Sequence, residues 1–178
     1  INEMLERFGH PPGTNWCGAA TGTWIQELAE HLKLPYPVQG TALAKGYETQ
    51  FKAIGRWHEA DELRADPSLP KVGDVVVWHR GVIGAQTGHV GPATQPVGRD
   101  RMFESIEGNT GTEGTGGGSG GVFLVPHSID DPMLYGAGSL DIHIAGTAAG
   151  IVPSKVSHIP WLVAAAVVAY YATPRLTK

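Results

Sequence analysis

The sequence predicts an α+β domain in which N-terminal helices pack on a small antiparallel sheet. Hydrophobic residues make up 42% and charged residues 17% of the 178 residues, which is typical of a globular domain and not of a disordered chain. The 25 glycines and 13 prolines favour a fold with many turns over a helix bundle. In addition, the hydrophobic period changes from helical near the start of the chain to strand-like in its middle.

Two helices are predicted after INEMLERFG, an opening stretch that itself has helical character. Apolar residues recur at helical spacing after Cys17, which predicts a helix from about Cys17 to Leu32. The prolines that follow at 35 and 37 end this helix. A second, weaker helix is predicted over residues 41–54.

Four strands are predicted in the middle of the chain. A turn signal, Gly73-Asp74, precedes an apolar run over 75–78 that is typical of a buried strand. Three further strands, separated by turn residues, are predicted at 88–94, 101–109 and 121–129. Strands at this spacing predict a small antiparallel sheet. The low-complexity stretch TGTEGTGGGSGG between the last two predicts a mobile loop.

The C-terminal part differs in composition from the predicted domain over 1–128. Residues 129–155 are rich in Gly and Ala and are predicted to be a linker or a docking tail. Residues 156–178 are predicted to contain a hydrophobic helix. Its apolar window, 156–173, has 18 residues, close to the about 20 that span a bilayer. Two readings stay open: the helix inserts into a membrane, or it packs against a partner protein or the domain.

Cys17 is the only cysteine of the chain and therefore cannot form an internal disulfide. It lies at the start of a predicted helix, where the partial positive charge of the helix N-terminus favours a thiolate. Gly18 and Ala19 follow it and leave room for a substrate backbone. Cys17 is thus a candidate nucleophile, although a lone cysteine is most often a small buried hydrophobe.

A nucleophilic cysteine needs a base and a third group that orients the base. His89, flanked by glycines on a predicted strand, is the candidate base, and His79 is a weaker rival because it follows its strand. Glu107 is the candidate orienting group. Asn109, two residues on, is predicted to share its face, whereas Glu104 is an odd number of positions away and faces the opposite side.

Nucleic acid, metal and cofactor roles are not predicted. The formal net charge is −4, without an obvious basic face. None of the remaining histidines shows paired metal-ligand spacing, so we expect surface or structural roles for them. They include His58, His127, His143 and His158.

The motifs WCGAAT, GDVVVW, GHVG, EGN and GGVF follow one another over roughly residues 10–128. In this order they resemble the CHAP branch of the papain-like NlpC/P60 superfamily. The resemblance implies a papain-like fold and a cysteine peptidase or amidase that acts on peptidoglycan without a metal. It further implies Cys17 as nucleophile, His89 as general base, and Glu107 or Asn109 as polar partner of the imidazole.

The reaction also requires an oxyanion site and a substrate groove. The backbone N–H of Cys17 and, more weakly, the side chain of Asn15 are the candidate oxyanion donors. Trp16, Trp78 and Gly88 are candidate groove residues, with the hydrophobic core as the ordinary alternative for both tryptophans.

The sequence therefore predicts a peptidoglycan hydrolase, associated with a phage and acting at the cell envelope or periplasm. The apolar C-terminal run and the lack of a signal-peptide pattern suggest a component of a phage tail, a virion or an envelope assembly. Two alternatives stay open. One is a thiol acyltransferase or peptidase that acts on a protein. The other is a structural, membrane-associated component with a silent site.

Overall fold

The protein is described by a computed structural model over residues 1–33, 35–81, 83, 87–110 and 120–140. This part of the chain is a mixed α and β structure, so the predicted α+β class is confirmed. Its helices are α1 (Asn2–Arg7), α2 (Cys17–Leu32), α3 (Gly46–Ala53) and α4 (Ala60–Ala65). Its strands are β1 (Trp57–Glu59), β2 (Val75–His79), β3 (Gly88–Pro92), β4 (Met102–Thr110), β5 (Gly121–Ser128) and β6 (Leu134–Gly138).

The strands form two antiparallel units. The larger is a four-stranded sheet with the order β1-β6-β2-β3, and the smaller is the hairpin β4-β5. A bridge between Ala93 and Ser105 joins the hairpin to the end of β3. The N–H of Thr94 strengthens this junction by donating to the carbonyl of Glu104 at 2.7 Å. The hairpin therefore lies beside β3, the strand that carries His89.

Helix α2 begins and ends where the sequence predicts and packs on the sheet. Its buried side chains include Cys17 and Ile25, which share a hydrophobic cluster with Val77 of β2 and Val90 of β3. The Thr21 hydroxyl also lies 3.5 Å from the carbonyl of Val90. This packing fixes the first turn of α2 against the strand that holds His89.

Helix α3 is shorter than the predicted 41–54 because its first residues form a turn. The Thr41 hydroxyl accepts a hydrogen bond from the N–H of Leu43 at 3.1 Å, and the helix begins only at Gly46. Helix α4 was not predicted, although its capping box between Glu59 and Glu62 is a recognisable start signal.

Strand β6 corrects the predicted end of the sheet. It lies between β1 and β2, with Ala137 opposite Val76, so the sheet extends past residue 128 into the predicted linker. The glycines that suggested a linker serve close packing instead. A Cβ on Gly138 would lie 2.0 Å from the ring of Phe51.

The remaining C-terminal predictions, including the hydrophobic helix in 156–178, lie outside the described residues. Most of the glycine-rich loop, at 111–119, does so as well. Within the described ranges, no helix combines the length and apolar character needed to cross a membrane.

Candidate active site

Cys17 is the first residue of α2 and is 2% exposed. Close contacts hold the turn that carries it. A Cβ on Gly18 would lie 2.4 Å from the carbonyl oxygen of Ala42, so glycine lets the helix start approach that loop. The Tyr47 hydroxyl donates to the carbonyl of Gly18 at 2.8 Å. The thiol therefore projects from a fixed helix N-terminus, whose dipole favours the thiolate.

His89 lies on β3, where its imidazole faces hairpin β4-β5. Its Nε2 is 2.7 Å from Oε2 of Glu107 on β4. Gly91 permits this approach, because a Cβ there would lie 2.5 Å from the carbonyl oxygen of Ile106 and 2.9 Å from Cγ of Glu107. Gly91, two residues after His89, thus has a steric role that brings two candidate catalytic side chains together.

Glu107 is fully buried and accepts three hydrogen bonds from side chains. They come from Nε2 of His89, the hydroxyl of Ser105 at 2.7 Å, and Nε2 of His127. Burial raises the pKa of this carboxyl, but the hydrogen bonds from His127 and His89 outweigh it and lower the pKa to about 2. Glu107 is therefore ionised at neutral pH and provides a fixed negative charge behind the imidazole.

The thiol and the imidazole shift each other's pKa toward the charged forms. Burial raises the pKa of Cys17, but its hydrogen bond to His89 and the positive charges of His89 and Arg80 reverse this, so the pKa is lowered. Burial lowers the pKa of His89, but hydrogen bonds to Cys17 and Glu107 raise it to about 9. Together these shifts favour a thiolate–imidazolium pair at neutral pH.

Asn109 does not share the predicted face with Glu107 and His89. Its side-chain amide instead donates to Oδ1 of Asn15 at 3.1 Å. The register of β4 shifts between Gly108 and Thr110, and Asn109 has a φ of 59°. The expected alternation of faces fails at this bulge. Of the two predicted imidazole partners, Glu107 thus contacts the ring, and Asn109 ties β4 to the loop before Cys17.

His127 occupies a place that the sequence analysis did not assign to it. Predicted as a surface or structural residue, it bonds Glu107, and its ring stacks on Trp78 with the centroids 4.2 Å apart. One sequence signal for this contact was available: His127 lies on the predicted strand that follows the strand of Glu107. Arg80, also missed, places Nη2 2.9 Å from Nδ1 of His89.

The two rival residues lie in other surroundings. His79 is the last residue of β2, and its ring packs edge-on against that of Tyr135, with the ring centroids 4.7 Å apart. The carboxylate of Glu104 accepts a hydrogen bond from the Thr94 hydroxyl at 3.2 Å. This agrees with the predicted opposite faces of Glu104 and Glu107.

The predicted groove residues are packed more closely than a groove wall requires. Trp16 is buried, and a Cβ on Gly108 would lie 2.6 Å from its ring. Trp78 is buried beneath the two histidines, and a Cβ on Gly88 would lie 2.9 Å from the carbonyl oxygen of Trp78. Trp16 also borders a cavity of about 360 Å³, whose lining includes neither Cys17 nor His89.

The described residues contain no group of three or more His, Cys, Asp or Glu side chains arranged to hold a metal ion.

Comparisons with known proteins give one partial similarity. No protein-family model and no curated protein matches the chain. A solved structure, that of the wild-type endolysin LysIME-EF1, is 29% identical over 40% of this chain, with a TM-score of 0.29. The match spans 32% of the endolysin's length. At that TM-score the similarity carries no weight for the function of this protein.

Proposed function

We propose that the protein is a cysteine hydrolase that cuts an amide bond in the peptide part of peptidoglycan. The observation that carries the chemical class is the hydrogen-bonded series Cys17–His89–Glu107. It combines a thiol of lowered pKa, an imidazole that bonds it, and a buried carboxylate that orients the imidazole. Cysteine hydrolases need these three functions.

The two ring nitrogens of His89 have different roles in the proposed reaction. Because Nε2 is held by Glu107, Nδ1 is the nitrogen that exchanges a proton with Cys17. The Cys17 thiolate attacks the amide carbonyl and forms an S–C bond. Nδ1–H then protonates the leaving amine as the C–N bond breaks. A water molecule, deprotonated by Nδ1, attacks the thioester and the S–C bond breaks, which releases the acid and restores the thiolate–imidazolium pair.

Charge on the carbonyl oxygen requires donors that are in place before the reaction. The backbone N–H of Cys17 is one donor, as the first residue of α2. Asn15, an exposed residue, is the second: its Oδ1 accepts from Asn109, which leaves its Nδ2 group as a donor. Such a donor contributes roughly 3 to 4 kcal/mol to transition-state stabilisation in other hydrolases.

The substrate class is supported by the sequence motifs rather than by the geometry. WCGAAT, GDVVVW, GHVG and EGN stand in the order seen in CHAP domains, and the described fold joins the residues they contain. On this basis we propose peptidoglycan as the substrate. Association with a phage particle and action at the cell envelope belong to the same proposal.

Digestion of purified cell walls tests the proposal directly. Wall fragments should carry new amino groups, which mass spectrometry after amine labelling would locate. The Cys17→Ala variant should release none of them. Because Cys17 is the only cysteine, the rate at which the wild type reacts with iodoacetamide measures the reactivity of this thiol alone. A lowered pKa predicts faster alkylation at neutral pH than that of a buried thiol with an ordinary pKa.

Two outcomes would contradict the proposal. If walls stay intact while a protein substrate is cut at a Cys17-dependent rate, the enzyme is a thiol peptidase of another specificity. If Cys17 reacts no faster than a buried thiol and its replacement changes nothing, the site is silent and the domain has a structural role.

A further inference from the structure

Arg80 lies at the start of the turn between β2 and β3, and its backbone is fixed there by Thr87. The N–H of Arg80 donates to the Thr87 carbonyl at 3.3 Å, and the Thr87 hydroxyl donates to the Arg80 carbonyl at 2.9 Å. The half-buried side chain reaches His89, with Nη2 2.9 Å from Nδ1. It forms no ion pair with a carboxylate of the described residues.

The contact between Arg80 and His89 conflicts with the proposed reaction. A guanidinium only donates hydrogen bonds, so this contact requires an unprotonated Nδ1. In the thiolate–imidazolium pair, the same Nδ1 carries the proton that later goes to the leaving amine. Since Nδ1 cannot accept from Arg80 and hold this proton at once, the Arg80 contact must break before Nδ1 can transfer the proton.

The site is also closed to a substrate in this arrangement. Cys17 is 2% and His89 5% exposed, so a peptide must displace a neighbouring side chain to reach the sulfur. Arg80 itself is half-buried and belongs to none of the three buried hydrophobic clusters of the described residues. Its side chain can therefore rotate toward solvent without the removal of core packing.

We propose that Arg80 is a specificity-determining residue that binds a free carboxylate of the substrate close to the scissile amide. A carboxylate offers two acceptor oxygens that match the guanidinium fork, a better partner than one imidazole nitrogen. Its arrival draws Arg80 away from Nδ1, which frees Nδ1 for proton transfer when the acidic substrate is bound. This inference rests on the proposed amide hydrolysis and adds a requirement for an anionic group.

Two matched substrates test this inference. One is the stem peptide of peptidoglycan with free carboxylates, and the other is the same peptide with those carboxylates converted to amides. The wild type should favour the free acid by about 10- to 100-fold in kcat/KM, the range expected for a charged hydrogen-bonded pair. Arg80→Gln should abolish this preference, and Arg80→Lys should keep part of it. Arg99→Gln, which removes an exposed arginine before β4, should keep all of it.

Equal cleavage of both peptides by the wild type would overturn the inference. So would an equal loss on both peptides in Arg80→Gln, which would instead mark Arg80 as an oxyanion donor.

Binding to the Cys17→Ala variant, measured by calorimetry, separates the inference from the proposed function. If the wild type cuts neither peptide but Cys17→Ala binds the acid more tightly through Arg80, the carboxylate site stands and the hydrolase proposal fails. If the Cys17→Ala variant and the Cys17→Ala/Arg80→Gln double variant each bind the acid and the amide peptide with equal affinity, the carboxylate site is refuted. This holds whatever the wild type cleaves.

Discussion

Glu107 and His127 share a partly buried hydrogen bond across the β4-β5 hairpin, on the carboxylate oxygen that is not bonded to His89. One carboxylate therefore holds two imidazoles, and only His89 also bonds the thiol. The Ser105 hydroxyl bonds the same oxygen as His127. These contacts fix the orientation of Glu107 and help to keep it ionised, so residues remote from Cys17 influence the base through the carboxylate.

Replacement of His127 should weaken catalysis through Glu107. In His127→Ala, loss of the hydrogen bond raises the pKa of Glu107, because that bond is a main cause of its low value. We expect about a tenfold loss of kcat/KM, or roughly 1.4 kcal/mol, close to the contribution of one hydrogen bond to a charged group. The acid limb of the pH–rate profile should also move to higher pH, an effect that a general loss of folded protein would not cause.

Two matched variants complete this experiment. His127→Gln keeps a donor for Glu107 and should recover much of the activity. His58→Ala removes a half-buried histidine paired with Glu62 and should leave the profile unchanged. An unshifted acid limb in His127→Ala would show that His127 only packs on Trp78.

The pH dependence of alkylation and of hydrolysis should differ on the alkaline side. The thiolate–imidazolium pair exists at pH values between the lowered pKa of Cys17 and the pKa of His89, which is about 9. Above that range His89 loses the proton that the leaving amine needs, so hydrolysis should fall. The thiolate persists, so the rate of reaction with iodoacetamide should not fall. Parallel decline of both rates above about pH 9 would contradict the assignment of His89 as the general acid.

Much of the fold could be predicted because local signals agree with it. Helix α2 and strands β2 to β5 follow from hydrophobic periodicity and turn residues. Strand β6 escaped prediction because Gly136 and Gly138 weaken its strand signal. Those glycines are needed for contacts with Trp57 and Phe51, which are distant in the sequence. Such a requirement becomes visible only once the elements are packed together.

The candidate site likewise contains some residues that local sequence signals predict and others that only tertiary packing brings in. The positions of Cys17, His89 and Glu107 follow from motif order and strand alternation. The alternation rule then fails at Asn109, where a bulge redirects the side chain. Arg80 and His127 were not found because neither belongs to a motif and both reach the site through tertiary contacts.

Glu107 should make the stability of the protein sensitive to acid. Its pKa lies below the ordinary 4.5, so the unfolded state binds the proton more readily. The stabilisation is therefore fully present above about pH 4.5 and is lost as the pH falls toward 2. Urea unfolding at about pH 6 and about pH 3 should show a smaller loss for Glu107→Gln than for the wild type. Glu104→Gln on the same strand serves as control, and an equal acid loss in wild type and Glu107→Gln would refute the prediction.

Gly91 should be intolerant of even a methyl group, since β3 and β4 approach closely there. The Cβ of Gly91→Ala would lie 2.5 Å from a backbone carbonyl oxygen and 2.9 Å from Cγ of Glu107, so β4 must move. We expect a stability loss of about 1 to 3 kcal/mol, typical of overpacking, with a larger relative loss of activity as the His89–Glu107 bond lengthens. Gly98→Ala is the matched control: its Cβ would lie 2.6 Å from the exposed Asp100 carboxylate, a side chain that can move, and at an ordinary 3.4 Å from the carbonyl oxygen of Met102. Thermal unfolding, the alkylation rate of Cys17 and wall digestion would be measured on both variants. If Gly91→Ala unfolds at the wild-type temperature and keeps full activity, His89 does not depend on this close approach to Glu107.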